Sequence, residues 1–224
     1  MVRNLLIALL FAVAIIIAGC SEEPLKADSK KIENRENVDM KTIVALGDSL
    51  TAGYGVDLSE SYPALLEKKL QGNGYQYKVI NAGVSGETSS GTLARVEWIL
   101  TQNPEIVIVE TGANDGFRGV TVNLLEENLL EIVGMLHENN VAVLLAGMKM
   151  VWNLGPTYVS QFNKVYPSIA EERDVELIPF FLEGVATKSN LNIEDGIHPN
   201  SAGYMVIVEN IYPHVVKVID SVNK

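Results

Sequence analysis

Thr42-Ile43-Val44-Ala45-Leu46-Gly47-Asp48-Ser49-Leu50 runs from five apolar or β-branched residues straight into a Gly-Asp-Ser turn. The pattern recurs as Glu105-Ile106-Val107-Ile108-Val109-Glu110 followed by Thr111-Gly112-Ala113-Asn114-Asp115-Gly116, and the two together decide the fold. An apolar run without polar alternation reads as a strand covered on both faces, the mark of a parallel sheet. Further runs at 78–81, 141–146 and 175–179 give five strands, counting 42–46 and 105–110. Between them, 62–71, 92–102, 124–139 and 158–173 are long enough for helices, and 201–222 forms a last helix, interrupted near Pro213. Alternation of strand and helix implies one doubly wound α/β domain with a five-stranded parallel sheet.

The 224 residues are 47% hydrophobic and 20% charged, which excludes a disordered or collagen-like chain. The net charge of −11 opposes phosphate backbones, so no nucleic-acid partner is expected. A single cysteine, without CxxC or HExxH, excludes an internal disulfide, a structural zinc site and a zincin. No metal and no cofactor is expected.

The first forty residues stand apart. Leu5 to Ile17 is an unbroken apolar run of 13 residues, about 20 Å as a helix against a hydrocarbon core of roughly 30 Å. It reads as the h-region of a signal peptide over residues 1–19 rather than a span. The run closes on Ile17-Ala18-Gly19-Cys20, which resembles the lipobox of bacterial lipoproteins and implies lipidation of Cys20. Residues 21–40 hold ten charged side chains and almost nothing for a core, so 20–40 reads as lipidated Cys20 with a solvated tether. The folded domain starts near Lys41 and keeps a charge of −10, because Arg3 and the tether's four basic and six acidic residues lie outside it. The expected location is the cell envelope, anchored by lipid and facing away from the cytoplasm. Ser21, where an aspartate would mark inner-membrane retention, favours the outer membrane if the source has two.

In an open parallel sheet, ligands bind outside the carboxyl ends of the strands. There the chain places Gly47-Asp48-Ser49, Ala82-Gly83-Val84-Ser85-Gly86-Glu87-Thr88, Gly112-Ala113-Asn114-Asp115 and, after the fifth strand, Asp195-Gly196-Ile197-His198-Pro199. Of three histidines, His137 ends a helix and His214 follows Pro213 in the last one. His198 has Asp195 three residues before it, a spacing that lets one loop bind one ring nitrogen and aim the other outward. Ser49 sits at a helix start, where its N–H and the helix dipole can face an oxyanion. Gly83 allows close approach of its N–H, and Asn114 carries an amide donor. Ser85 reads as a turn or cap residue. Ser49 lacks the G-x-S-x-G elbow of α/β-hydrolases.

These four blocks, in this order over about residues 42–218, resemble those of the SGNH (GDSL) hydrolases. The resemblance implies Ser49 as nucleophile, Asp195 and His198 as its partners, Ser49, Gly83 and Asn114 as the oxyanion hole, and a flavodoxin-like three-layer α/β/α sandwich. Gly86-Glu87-Thr88-Ser89, Leu93-Ala94-Arg95 and Asn114-Asp115-Gly116-Phe117-Arg118-Gly119 are similar to the bacterial thioesterase/lysophospholipase/arylesterase group. That likeness implies a mobile loop at 116–120 (Gly116, Phe117, Arg118) over an acyl groove, with Gly155, Pro156 and Tyr158 lining the same side. Ala113 departs from the second glycine frequent in that group.

The reading that follows is a monomeric serine esterase for short- to medium-chain acyl esters, thioesters or lysophospholipids. A polysaccharide O-deacetylase is the alternative, for which Trp152 could serve as a sugar platform while Trp98 reads as core. A non-catalytic tethered binding lipoprotein is the third reading, disfavoured because all five functional positions are intact.

Overall fold

A computed structural model describes residues 40–150 and 154–224 of the chain. The signal peptide, Cys20, the tether before Met40, and Trp152 lie outside the described residues.

Five strands form one parallel sheet: β1 (Lys41–Gly47), β2 (Tyr77–Gly83), β3 (Ile106–Glu110), β4 (Ala142–Ala146) and β5 (Glu176–Ile178), in the order β2-β1-β3-β4-β5. Ile43 to Leu46 and Ile106 to Val109 are fully buried, so the central strands are apolar on both faces. At the edge, β2 instead exposes Lys78 and Asn81, polar residues suited to an unpaired strand flank.

The helices are α1 (Ser49–Ala52), α2 (Tyr62–Gly72), α3 (Ser89–Leu93), α4 (Val96–Leu100), α5 (Ala113–Phe117), α6 (Val122–Glu138), α7 (Pro156–Arg173) and α8 (Ser201–Val222). Helices α2 and α8 pack together on one side of the sheet, while α6 packs with α3, α4 and α7 on the other. The result is a three-layer α/β/α sandwich. Strand order reverses at β1, whose neighbours are β2 and β3, and the crevice there is where the fold admits a ligand. In register, Gly47 faces Gly83 on one side and Glu110 on the other, so all three close their strands at one level.

Two helices differ from their sequence reading. Helix α8 runs unbroken through Pro213. A proline inside a helix costs about 3 kcal/mol, whereas burying a large aliphatic side chain stabilises by about 1.5–3 kcal/mol. Ile207, Val208, Ile211, Val215, Val218 and Ile219 are all buried along α8, and together they outweigh the proline. The expected helix at 92–102 is instead two short ones, α3 and α4, broken at Ala94 and Arg95. Tertiary acceptors cause the break. Arg95 Nη2 donates to Ala82 O at 2.7 Å and Gly47 O at 3.3 Å, while Nε and Nη2 donate to the Glu87 carboxylate at 2.7 and 2.8 Å. This largely buried guanidinium ties the ends of β1 and β2 to the loop that follows β2. Trp98, read as core, is about half exposed on α4.

Candidate active site

Ser49 is the first residue of α1, directly past the end of β1. Asp48 caps that helical turn, its Oδ1 accepting from Leu50 N–H at 3.0 Å. Gly47 has no room for a side chain: a Cβ would fall 2.2 Å from Thr51 Oγ1 and 2.3 Å from Glu110 O. On the far side of the turn, the buried Tyr204 hydroxyl of α8 donates to Leu50 O at 3.0 Å. The serine is thus fixed by a strand end, its own cap and a second helix, with 8% of its surface open to solvent.

His198 reaches this serine from the loop before α8. Its Nε2 lies 2.9 Å from Ser49 Oγ, and its Nδ1 lies 2.6 Å from Asp195 Oδ2. The other oxygen, Asp195 Oδ1, accepts the N–H groups of Ile197 and His198, each at 3.0 Å. Partial burial pushes the Asp195 carboxyl up, but these N–H groups and the His198 ring outweigh it and hold the group below the usual aspartate range. The loop closes on itself through Ile193 N–H to His198 O at 2.8 Å, and Asn200 caps α8 by accepting from Gly203 N–H at 3.0 Å. The ring of Tyr54 leans on the imidazole with centroids 4.7 Å apart.

Asn114, in the first turn of α5, donates from Nδ2 to Asp48 Oδ2 at 2.9 Å. An amide nitrogen has two protons, so this bond orients the second. Burial pushes the Asp48 carboxyl up to about 6, against the hydrogen bonds from Leu50 and Asn114 and the charge of His198, which favour its ionised form.

For Gly83, the sequence points to a free amide, and the structure corrects this. Its N–H donates to Asn81 Oδ1 at 3.0 Å, and a Cβ there would lie 2.1 Å from Ala52 N. Gly83 is a glycine because β2 packs against α1. Three residues on, Gly86 has φ +80° in the turn closed by Glu87 N–H to Val84 O, and its own N–H meets no acceptor among the described residues. Ser85 sits in the same turn and caps no helix.

Of the segment expected as a loop at 116–120, Gly116 and Phe117 lie in α5, and the segment is tied at several points. Arg118 Nη2 donates to Gly86 O at 2.6 Å, Tyr158 Oη to Val120 O at 2.7 Å, and Val120 N–H to Asp115 O at 2.9 Å. A Cβ on Gly116 would lie 2.4 Å from Met150 Cε, so this glycine makes room for the methionine. Phe117 projects from the end of α5, about half exposed. Gly155, at φ +85°, caps α7, and Pro156 takes its first position, where a missing N–H costs no hydrogen bond. Buried Asp115 of α5 accepts from Ser89 N–H at 2.8 Å and Ser89 Oγ at 2.5 Å, joining α5 to α3. His137 lies in the last turn of α6, and His214 is paired with Glu176 at 2.7 Å at the amino-terminal end of β5. Neither is brought to Ser49. The parts played by Asp48, Tyr54 and Gly86 are visible only in the folded chain, where Asp48 accepts from the Asn114 amide, Tyr54 leans on the His198 ring and Gly86 accepts from Arg118.

The chain matches the model of the GDSL-like Lipase/Acylhydrolase family over residues 45–206. It is 40% identical to Esterase TesA of Pseudomonas aeruginosa over 174 residues, covering 77% of this chain and 87% of that protein. It is 42% identical to Thioesterase 1/protease 1/lysophospholipase L1 of Escherichia coli over 160 residues, covering 71% and 76%. A crystal structure of TesA superposes with a TM-score of 0.76 at 38% identity, covering 80% of this chain and 99% of that one. A serine poised on an imidazole at a strand end, within a chain alike over most of its length to known esterases, has one reading: the chain belongs to the GDSL-like lipase/acylhydrolase family and is a serine esterase of that family.

Proposed function

We propose that the protein cleaves short- to medium-chain acyl esters through an acyl-enzyme on Ser49. The observation that carries this reading is the continuous relay from Ser49 Oγ through the His198 ring to Asp195. Asp195 holds the Nδ1 proton, so Nε2 is the basic nitrogen and faces Oγ. Ser49 Oγ attacks the acyl carbonyl as His198 Nε2 takes its proton, and the same nitrogen returns that proton to the leaving alcohol. Water then attacks the acyl carbonyl as His198 Nε2 takes its proton. The same nitrogen returns that proton to Ser49 Oγ as the bond from the acyl carbon to Oγ breaks, releasing the carboxylic acid and restoring the serine. The tetrahedral oxyanion is received by the Asn114 amide, the Ser49 N–H and, in place of Gly83, the unengaged N–H of Gly86.

The acyl preference follows from the rim. Tyr54, Val84, Phe117 and Ile197 are all about half exposed on the loops that bear the site, an apolar border suited to an alkyl chain. Residues 41–224 should therefore hydrolyse p-nitrophenyl esters across a ladder from C2 to C16 with a maximum at C4–C10. Turnover of the acetate alone would transfer the proposal to deacetylation. On the best ester, Asn114→Ala should lower kcat by about 10²–10³, and an unchanged kcat would remove the amide from the mechanism.

Cys20, after Ile17-Ala18-Gly19, carries the lipid that holds the domain at the cell envelope. Several acyl chains, at about 0.8 kcal/mol per buried CH₂, suffice for stable anchoring. Full-length protein should partition into a detergent phase and Cys20→Ser into the aqueous phase. Equal partitioning of the two would end that assignment.

A further inference from the structure

Strand β3 ends in Glu110, which is completely buried beneath the turn that carries Ser49. Its Oε2 accepts from Thr51 Oγ1 at 2.8 Å and from Asp48 N–H at 3.4 Å. Its Oε1, equally buried, has no partner among the described residues. A carboxylate so placed, beside the carboxyl of Asp48, would be two like charges sharing one dry site. The other groups whose charge states bear on it are the hydroxyls of Tyr62 on α2, Tyr166 on α7 and Tyr204 on α8, none of which supplies a positive charge. Arg95 reaches only as far as the carbonyl of Gly47 and is neutralised by Glu87. His198 acts on Asp48 from the solvent side.

One proton therefore belongs to the pair, and the surroundings decide its owner. Asp48 accepts from Leu50 N–H and Asn114 Nδ2, donors that favour a carboxylate. Glu110, with one oxygen unpartnered, is the member that gains from being neutral. We propose that Glu110 is a positioning residue of the oxyanion site: as a neutral acid it seats the Asp48 turn, leaves Asp48 ionised, and through Asp48 aims the amide of Asn114. This rests on the assignment of Asn114 to the oxyanion hole. The direction of titration agrees, since burial first and the neighbouring Asp48 second push Glu110 well above the ordinary glutamate range. Were Glu110 to ionise, Asp48 would have to take the proton and would lose an acceptor lone pair on which Asn114 depends.

The test compares Glu110→Gln with Glu110→Leu on the best ester of the ladder, beside wild type, Ser49→Ala and Asn114→Ala. Glutamine reproduces the neutral acid, keeping an oxygen for Thr51 and Asp48 and placing its NH₂ where the O–H was. Leucine keeps most of the volume and removes the acceptor. Expected are a kcat for Glu110→Gln close to wild type with the acidic limb of its pH profile unmoved, and a kcat for Glu110→Leu lower by about 10- to 100-fold at similar KM. In the Asn114→Ala background, Glu110→Leu should add less than about twofold, because both changes act through one amide. If Glu110→Leu does not fold, Thr51→Val, which removes a donor to Oε2, takes its place with the same expectations.

Loss of activity in Glu110→Gln equal to that in the leucine variant, or a displaced acidic limb, would show that the charge matters and overturn the proposal. So would a loss that multiplies fully with Asn114→Ala, or leucine-variant turnover at the wild-type level. Failure of the underlying mechanism would show separately, as activity retained by Ser49→Ala.

Discussion

Ser49→Ala is expected to lower kcat by about 10⁶ while leaving the fold intact. The side chain is small, it lies at the start of α1, and the turn is held by Asp48, Tyr204 and the packing under Gly47 rather than by the serine hydroxyl. His198→Ala should fall by a similar factor. The double variant should fall hardly further, because without the hydroxyl the imidazole has no proton to remove. Ester turnover and labelling by a fluorophosphonate probe both report this. Ser49→Ala protein that still turns over ester at more than about 1% of the wild-type rate would displace Ser49 from the nucleophile role.

Asp195→Asn should be the next most damaging change, and its mechanism is specific to this loop. Asp195 Oδ1 receives two backbone N–H groups while Oδ2 faces His198 Nδ1. The N–H groups would claim the single oxygen of an asparagine and turn its NH₂ toward the ring. Nδ1 would then have to accept, the ring proton would move to Nε2, and His198 would present Ser49 with a donor instead of a base. The loss should be about 10³–10⁴ in kcat, toward the lower value because the Asp195 side chain is 34% exposed and water can assist the other tautomer. The melting temperature should change little. A variant retaining a tenth of wild-type kcat, by about 10-fold loss only, would show that the carboxylate serves the loop's shape alone.

The strands were legible because burial on both faces leaves an apolar signature: β1, β3 and β4 lie within a residue or two of their sequence reading. So were the positions of Ser49, Asn114, Asp195 and His198, each set just past a strand or in a Gly/Pro-bounded turn. What escaped was decided by distant partners. The break at Arg95 comes from carbonyls of Gly47 and Ala82, far from it in the chain, and nothing in the local periodicity marks it. Pro213 is a helix breaker in isolation, and only the buried face of α8 overrides it. Between Gly83 and Gly86 the choice depends on which N–H a side chain has already taken, which sequence does not reveal. Glu110 did carry a signal: a carboxylate closing an otherwise wholly apolar strand, at the level where the sheet meets its ligand. Trp98 lies in the middle of the short α4, whose buried residues are Val96 and Ile99, and so falls outside the face that the helix buries.

The nucleophile and its base stand 149 residues apart in the chain and meet across 2.9 Å. Ser49 belongs to the first strand-turn unit, whereas His198 is presented only when the last helix docks beside α2. Contacts of such sequence separation close late, after the entropy of the intervening loop has been overcome. A nascent or partly folded chain therefore carries its serine as an ordinary alcohol. Hydrolytic competence arrives in a single step with completion of the domain, which makes turnover itself a report on whether the C-terminal helix has found its place.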